Sequence, residues 1–369
     1  MKVLFMTSGI RTIHRPLELH IRQGLEALGV DLVVFDLAYH LYYQGSALAK
    51  LKEEEINLLN HGPLHRLAAA PVLYELHRLK PDLLLCFQGS LIPPEIPRAA
   101  RDLGILSALW SVDDPYEVDL TMQYAGAYDL VFTVEAAAVP FYRKALGVEA
   151  HYLPLGCNPD FHRPTEVPER YRSDVCFIGS AFYNRLELVD QMADYLAESG
   201  LKIRILGQWW DQLKHYNRLH RFIDNVGVTP QEAVRFYCGA RINLNLHRAP
   251  NATAYVRANL KGLQAKSPNN RTFEIAACGA FQLVEQRSDL GQAFTVGEEL
   301  DRFDGPVDLV AKIEHYLRHD EQRRAMAERA RQRAAREHSY AARLRTVLEI
   351  AAEYRAGRQD QSIAGGHRP

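Results

Sequence analysis

Short apolar runs alternate with stretches in which apolar residues recur every third or fourth position. Lys2–Met6 is apolar and stops at Thr7-Ser8-Gly9, after which Ile13, Leu17, Ile21, Leu25 and Leu28 repeat at helical spacing. Strand, loop and helix are expected in that order. Further buried strands are expected at 31–37, 83–87, 105–112, 130–134 and 151–155. Continuous apolar strands alternating with helices specify a parallel sheet covered on both faces.

The pattern changes between 157 and 173, where three prolines and weak periodicity mark a linker. Beyond it the same order restarts. Strands are expected at 174–178 and 202–206, each running into a glycine (Gly179, Gly207), with a helix over 186–198. Strands at 242–246 and 281–285 follow, with a helix at 271–278 between them, and helix from 308 onward. The fold class is α/β, with doubly wound domains at 1–160 and 173–335, a carboxyl-terminal helix at 336–355 and a disordered tail at 356–369. Open parallel sheets bind ligands beyond the carboxyl ends of their strands, so two such domains are expected to face a central cleft holding the site.

The 369 residues supply enough chain for two cores. Lys+Arg number 44 against 45 Asp+Glu, so the net charge of −1 gives no attraction to a polyanion, and no nucleic-acid partner is expected. No apolar stretch approaches the roughly 20 residues needed to cross a bilayer. The apolar amino-terminal run is too short for a signal peptide, and the five cysteines are scattered with no C-x-x-C, so a cytoplasmic location is expected. The chain lacks H-E-x-x-H, G-x-S-x-G, P-loop and G-x-G-x-x-G patterns, which disfavours metalloprotease, hydrolase, ATPase and dehydrogenase chemistry. His61 and His65 are four apart, but Pro63 between them argues against a metal-binding helical face, and no metal is expected.

Two segments have the chemistry of an anion site. Gly179-Ser180-Ala181-Phe182-Tyr183-Asn184-Arg185 follows a strand and opens a helix, so backbone N–H groups, Asn184 and Arg185 can hold a phosphate. In Ser267-Pro268-Asn269-Asn270-Arg271-Thr272-Phe273-Glu274, Asn269 or Asn270 can cap a helix whose first turn carries Arg271, a cation against the dipole. A diphosphate would account for Arg271, and Glu274, one turn on, can accept hydrogen bonds from ribose hydroxyls. Gly207 and Trp209 follow one strand and Arg248 another, adding an indole for a base and a second cation. The stretch 249–266 has few core signals and is expected to be a mobile loop over the cleft.

FIGSAFYNR and NNRTFEIAACGAFQLVEQ, with WSVDDPYEV, VEAAAVPFYRKALGVEAHYLPLGCNPDFHRP and EHSYAARLRTVL in order, resemble the CgeB-like family of bacterial spore-maturation glycosyltransferases. The resemblance implies the GT-B fold, two Rossmann-like domains with carboxyl-terminal helices, and a nucleotide-sugar donor in the second domain. It places Glu274 at the donor ribose. The longer E-x7-E form of that helix would need an acid at 266, where this chain has Lys266.

In the first half, Asp113 and Asp114 end an apolar strand and can take the proton of an attacking hydroxyl, Asp114 being preferred; His14 is the alternative base. Gly9, Arg11 and Gln88 lie in loops that follow strands and are candidate acceptor contacts. The expected reaction is transfer of a sugar from a nucleoside diphosphate sugar, UDP-sugar foremost, to a hydroxyl of a glycan or surface polymer, with no cofactor beyond that co-substrate. A nucleotide-sugar epimerase and a non-catalytic sugar-binding or surface-layer assembly protein fit the same pattern.

Overall fold

The computed structural model describes residues 1–51, 63–250 and 258–365. The chain forms two compact units. Unit 1 comprises Met1–Leu153, Ala258–Lys261 and Ala341–Pro369; unit 2 comprises Pro154–Arg257 and Gly262–Tyr340.

Unit 1 contains β1 (Lys2–Met6), β2 (Asp31–Phe35), β3 (Leu83–Phe87), β4 (Leu106–Ser111), β5 (Leu130–Thr133) and β6 (Glu149–Tyr152), in the spatial order β2-β1-β3-β4-β5-β6. Every pairing is parallel, with Phe5 beside Leu85 and Leu85 beside Ala108. All residues of β3 and β4 are buried, as expected of strands covered on both faces. Trp110, Phe5, Phe87 and Phe132 fill this core, and Trp110 Nε1 donates to the Leu153 carbonyl at 3.0 Å. Burying each such side chain contributes about 1.5–3 kcal/mol.

Unit 2 repeats the plan with β7 (Ser173–Ile178), β8 (Ile203–Leu206), β9 (Ile223–Asp224), β10 (Ala240–Asn245), β11 (Gln282–Glu285) and β12 (Asp301–Phe303), in the order β12-β11-β10-β7-β8-β9. The strands β9 and β12 escape the hydrophobic pattern because they are two and three residues long and mostly incompletely buried. The strand expected at 151–155 instead runs Glu149–Tyr152 and ends short of Pro154, which lacks the N–H a ladder needs. In both sheets the winding reverses once, between β1 and β3 in unit 1 and between β7 and β10 in unit 2. Loops leaving the carboxyl ends of the strands at these reversals form crevices suited to ligands.

The carboxyl-terminal region is three helices, Gly305–Arg318, Asp320–Glu337 and Tyr340–Gly365. The last continues past the expected end at 355, because Arg355 pairs with Asp82 and Arg358 with Asp129 of the same unit. Residues 366–369 lie outside the described residues. Of the stretch expected as a mobile loop, 251–257 lie outside them as well, whereas Ala258 accepts from Asp119 N–H at 2.8 Å and Leu260 N–H donates to the Asp119 carboxylate.

Asp129 is buried and accepts from Arg101, from the Ser107 amide and hydroxyl, and from Arg358. Replacing it leaves these donors without their common acceptor. Asp129→Ala is expected to lower stability by about 2–4 kcal/mol in urea denaturation; a loss below about 0.5 kcal/mol would show the cluster to be dispensable.

Candidate functional site

In unit 1 the crevice at β1, β3 and β4 gathers His14, Gln88 and Asp113. The loop after β1 is tied down by Glu18, whose carboxylate accepts from the Ser8 amide (2.7 Å) and hydroxyl (2.6 Å). Leu37 N–H donates to Thr7 Oγ1, fixing the same loop from the other side. Gly9 has φ +83°, and a Cβ there would press on Leu41. His14, in the first turns of helix Arg11–Ala27, is buried and packs edge-on against Phe87. Its Nε2 lies 3.6 Å from Asp113 Oδ2, and its Nδ1 is buried with no hydrogen-bond partner among the described residues.

Gln88 holds Asp113 from the other side, donating from Nε2 to the same Oδ2 at 2.9 Å. Gln88 adopts φ +46°, a conformation that costs a non-glycine residue on the order of 1–3 kcal/mol and marks a position that the surrounding structure over-determines. Arg11, exposed at the start of the helix, lies over the Tyr42 ring.

Asp114 has a different environment from its neighbour. It is buried, and its carboxylate accepts from Thr133 (2.7 Å) and Tyr142 (2.8 Å). Burial pushes its pKa up, against the hydrogen bonds from Thr133, Tyr142 and Ser111 that favour the ionised form. Asp113, with a third of its side chain exposed, faces His14, while Asp114, the preferred candidate of the pair, is engaged in the core.

In unit 2 the crevice at β7 and β10 gathers arginines on backbone carbonyls. Arg185, buried, donates to the carbonyls of Ser180 (2.8 Å), Leu246 (3.0 Å) and His247 (3.3 Å). Arg271 reaches the carbonyls of Ile178 and Leu246, the latter at 2.7 Å. Both guanidinium groups lie over the Phe177 ring, at 5.5 and 5.6 Å. Glycine at 179 permits this approach, since a Cβ there would strike Nη1 of both arginines. Asn184 donates to the His247 carbonyl and accepts from Ala249 N–H, Arg248 lies over Phe182, and Arg287 donates to the carbonyls of Ala265 and Arg248.

Gly207 and the two indoles separate by role. Gly207 has φ +144°, where a Cβ would collide with the Gly179 carbonyl. Trp210 is fully buried and donates to that carbonyl at 3.0 Å, whereas Trp209, at φ +70°, is only partly buried.

A buried polar chain fixes His247. Asn269, not Asn270, is the helix cap: its Oδ1 accepts from the Thr272 amide, which turns its NH2 toward Asn245 Oδ1 (2.8 Å) and His247 Nδ1 (2.9 Å). Nδ1 is therefore an acceptor and the ring proton sits on Nε2. Burial, then the charges of Arg287, Arg271 and Arg185, pushes this imidazole far below its usual range and keeps it neutral. Thr272 belongs to the same chain, its hydroxyl accepting from Asn245 at 2.9 Å in a fully buried position.

Glu274 lies one turn along the helix with 14% of its side chain exposed, and Asn270 Nδ2 donates to its Oε1 at 3.0 Å. His162, near the start of unit 2, brings its Nε2 to 3.9 Å from the same oxygen. His162, Arg287 and His247 were not singled out by the sequence, which shows no period or motif linking them to the helix. Among the described residues no group of three or more His, Cys, Asp or Glu side chains is placed to hold a metal ion, and no helix is long and apolar enough to cross a membrane.

Residues 185–349 match the family model described as Glycosyl transferase-like. The chain is 28% identical over 261 residues to the spore protein CgeB of Bacillus subtilis, covering 70% of this chain and 79% of that protein. Among solved structures it is similar to sucrose-phosphate synthase from Thermosynechococcus elongatus, with TM-score 0.61 and 11% identity over 97% of this chain and 100% of that one. It is also similar to Anabaena Alr3699/HepE in complex with UDP-glucose, with TM-score 0.60 and 12% identity over 96% and 100%. The family model and the spore protein bear out the expected CgeB-like resemblance and the assignment as a glycosyltransferase, and the solved structures bear out the GT-B fold.

Two predictions follow from the buried polar groups. Asn269→Ala removes a helix cap and the partner of His247, and is expected to cost about 1–2 kcal/mol or more in chemical denaturation; no loss would contradict the capping role. His162, held down to about 4 chiefly by burial, and His247 take up protons more readily when unfolded, where imidazole titrates near 6.5. The stability this gives is present above pH 6.5 and is lost as pH falls toward 4. The urea midpoint should fall over that window and fall less in His162→Gln, and an unchanged slope in that variant would count against it.

Proposed function

We propose that this CgeB-like glycosyltransferase moves a sugar from a UDP-sugar to a hydroxyl of a glycan or surface polymer, with no metal ion taking part. The observation that carries the reading is the convergence of Arg185 and Arg271 on the Leu246 carbonyl oxygen at the carboxyl end of β10. Guanidinium groups gathered in this way repel each other, and a bound diphosphate relieves the repulsion. As the bond from the anomeric carbon to the phosphate oxygen breaks, its electron pair leaves with UDP, and the two arginines stabilise the growing negative charge.

The acceptor oxygen forms the new bond to that carbon and gives its proton to a general base; the candidates for that base are His14 and Asp113 of unit 1, which face each other at 3.6 Å while Gln88 donates to Asp113. Glu274 accepts from the ribose hydroxyls, and Trp209 offers its indole to the base. Anabaena Alr3699/HepE, of like fold, has been solved with UDP and with UDP-glucose, which supports uridine as the base. The likeness to a spore protein supports a role in spore or cell-surface polysaccharide maturation. The free thiols of the described cysteines accord with a reducing cytoplasm.

Melting of the purified protein with UDP, GDP, TDP and CDP, each with and without EDTA, tests the donor. UDP is expected to raise the melting temperature most, and equally in EDTA; a rise abolished by EDTA would overturn the metal-free reading. Arg271→Ala is expected to lower turnover about 10²–10³-fold with its circular dichroism unchanged, and near-normal turnover would remove Arg271 from the site. His14→Ala and Asp113→Asn are expected to lower kcat by about 10²–10⁴-fold with little change in donor KM, whereas a loss confined to KM would assign them to binding.

A further inference from the structure

The segment expected as a linker belongs to unit 2 and packs against it. Asn158 to His162 forms a compact turn: Asp160 N–H donates to the Asn158 side chain and His162 N–H to the Asn158 carbonyl. Phe161 anchors it by packing with Val234, Tyr237, Ile275 and Cys278, two of which lie beside Glu274 in sequence or one turn on. The turn thus delivers the His162 ring to the flank of the helix that carries Glu274.

The ring's proton is assigned by its neighbours. Asn158 N–H donates to His162 Nδ1 at 3.1 Å, so Nδ1 is the acceptor and the hydrogen resides on Nε2. Burial holds the pKa down to about 4, so the ring is neutral near pH 7. Nε2 faces Glu274 Oε1 at 3.9 Å, and Asn270 Nδ2 donates to the same oxygen at 3.0 Å. Both side chains are largely enclosed, with 6% and 14% exposure, so the carboxylate draws its stabilisation from groups held around it and not from bulk water.

We propose that His162 is a positioning residue for nucleotide recognition: its Nε2–H, together with Asn270, orients the Glu274 carboxylate as an acceptor for the ribose hydroxyls of a nucleoside diphosphate. The inference rests on the reading of Glu274 as the ribose contact. An ionised carboxylate is acceptor-only, so a carboxylate held in one orientation selects ligands that present vicinal hydroxyl donors. The conformation of the Asn158–His162 turn thereby sets how well the site distinguishes a ribonucleotide from its deoxygenated analogue.

Calorimetric titration of UDP and 2′,3′-dideoxy-UDP tests this. The protein is expected to prefer UDP by about tenfold or more, as for a site whose polar group is left unmatched by the analogue. Glu274→Ala should abolish the preference; if it does not, the ribose reading fails and the role of His162 with it. His162→Asn, whose amide reaches the Nδ1 position but not Nε2, should bring the ratio to near one while diphosphate-driven binding persists. His162→Gln, whose amide reaches the Nε2 position, should retain most of it. Equal loss in both amide variants, or wild-type discrimination in His162→Asn, would overturn the positioning role independently of Glu274. Nitrogen NMR of His162 is expected to report the Nε2–H form at pH 7, and the opposite tautomer would overturn the assignment.

Discussion

The carbonyl oxygens at the end of β10 are the constraint on which unit 2's site depends. Leu246 and His247 accept from Arg185, and Leu246 accepts from Arg271 as well. A carbonyl satisfies a guanidinium N–H without cancelling its charge. The arginines are thereby fixed in place while their positive field persists, and that field reaches the buried ring of His247. Carboxylates in the same positions would have anchored the arginines equally well and neutralised them, leaving no reason for an anion to bind. The phosphate reading follows from which acceptors the backbone presents, and these come from the strand end itself.

Holding the strand end still falls to the chain of amides behind it. Gln282 donates to the Thr272 carbonyl, Asn245 to Gln282 and to the Thr272 hydroxyl, and Asn269 to Asn245 and His247. Each amide has its direction set by the next, beginning from the helix cap, so the network has one consistent arrangement and fixes the tautomer of a histidine at its far end. Buried polar networks of this kind stabilise only when their members are matched, and they then give a single geometry. Unit 1 uses the same device with charges: Glu18 holds the β1 loop, and Asp114 ties the β4 loop to Thr133 and Tyr142. Asp114 thus supports the loop from which its neighbour Asp113 meets His14.

The two sheets share a winding that reverses once, and in each the reversal is where the candidate chemistry collects. Adjacent strands whose connections leave in opposite directions open a gap beyond their ends, where side chains from two separate loops can meet around a ligand. Arg185 and Arg271 meet in this way in unit 2; in unit 1 His14, on the helix after β1, faces Asp113 from the loop after β4, with Gln88 from the loop after β3 donating to that carboxylate. None of the four is near its partner in sequence.

The sequence by itself determined the α/β class, the two repeats of strand and helix, and the segments carrying Arg185, Arg271, Glu274, His14 and Asp113. It could do so because hydrophobic period and strand-end loops are local properties: LLLCF at β3 reads as buried whatever surrounds it. Only the tertiary structure decided which of Asp113 and Asp114 faces a histidine, since adjacent residues in a strand-end loop point different ways and have identical composition. It alone showed Trp210 in the core and Trp209 partly exposed, Asn269 as the cap, and the helix Tyr340–Gly365 held beyond 355 by Arg355 and Arg358. His162 reaches Glu274 only because the Asn158–His162 turn packs on a helix more than a hundred residues away. Contacts between distant segments depend on how cores fold together, and no local pattern records them.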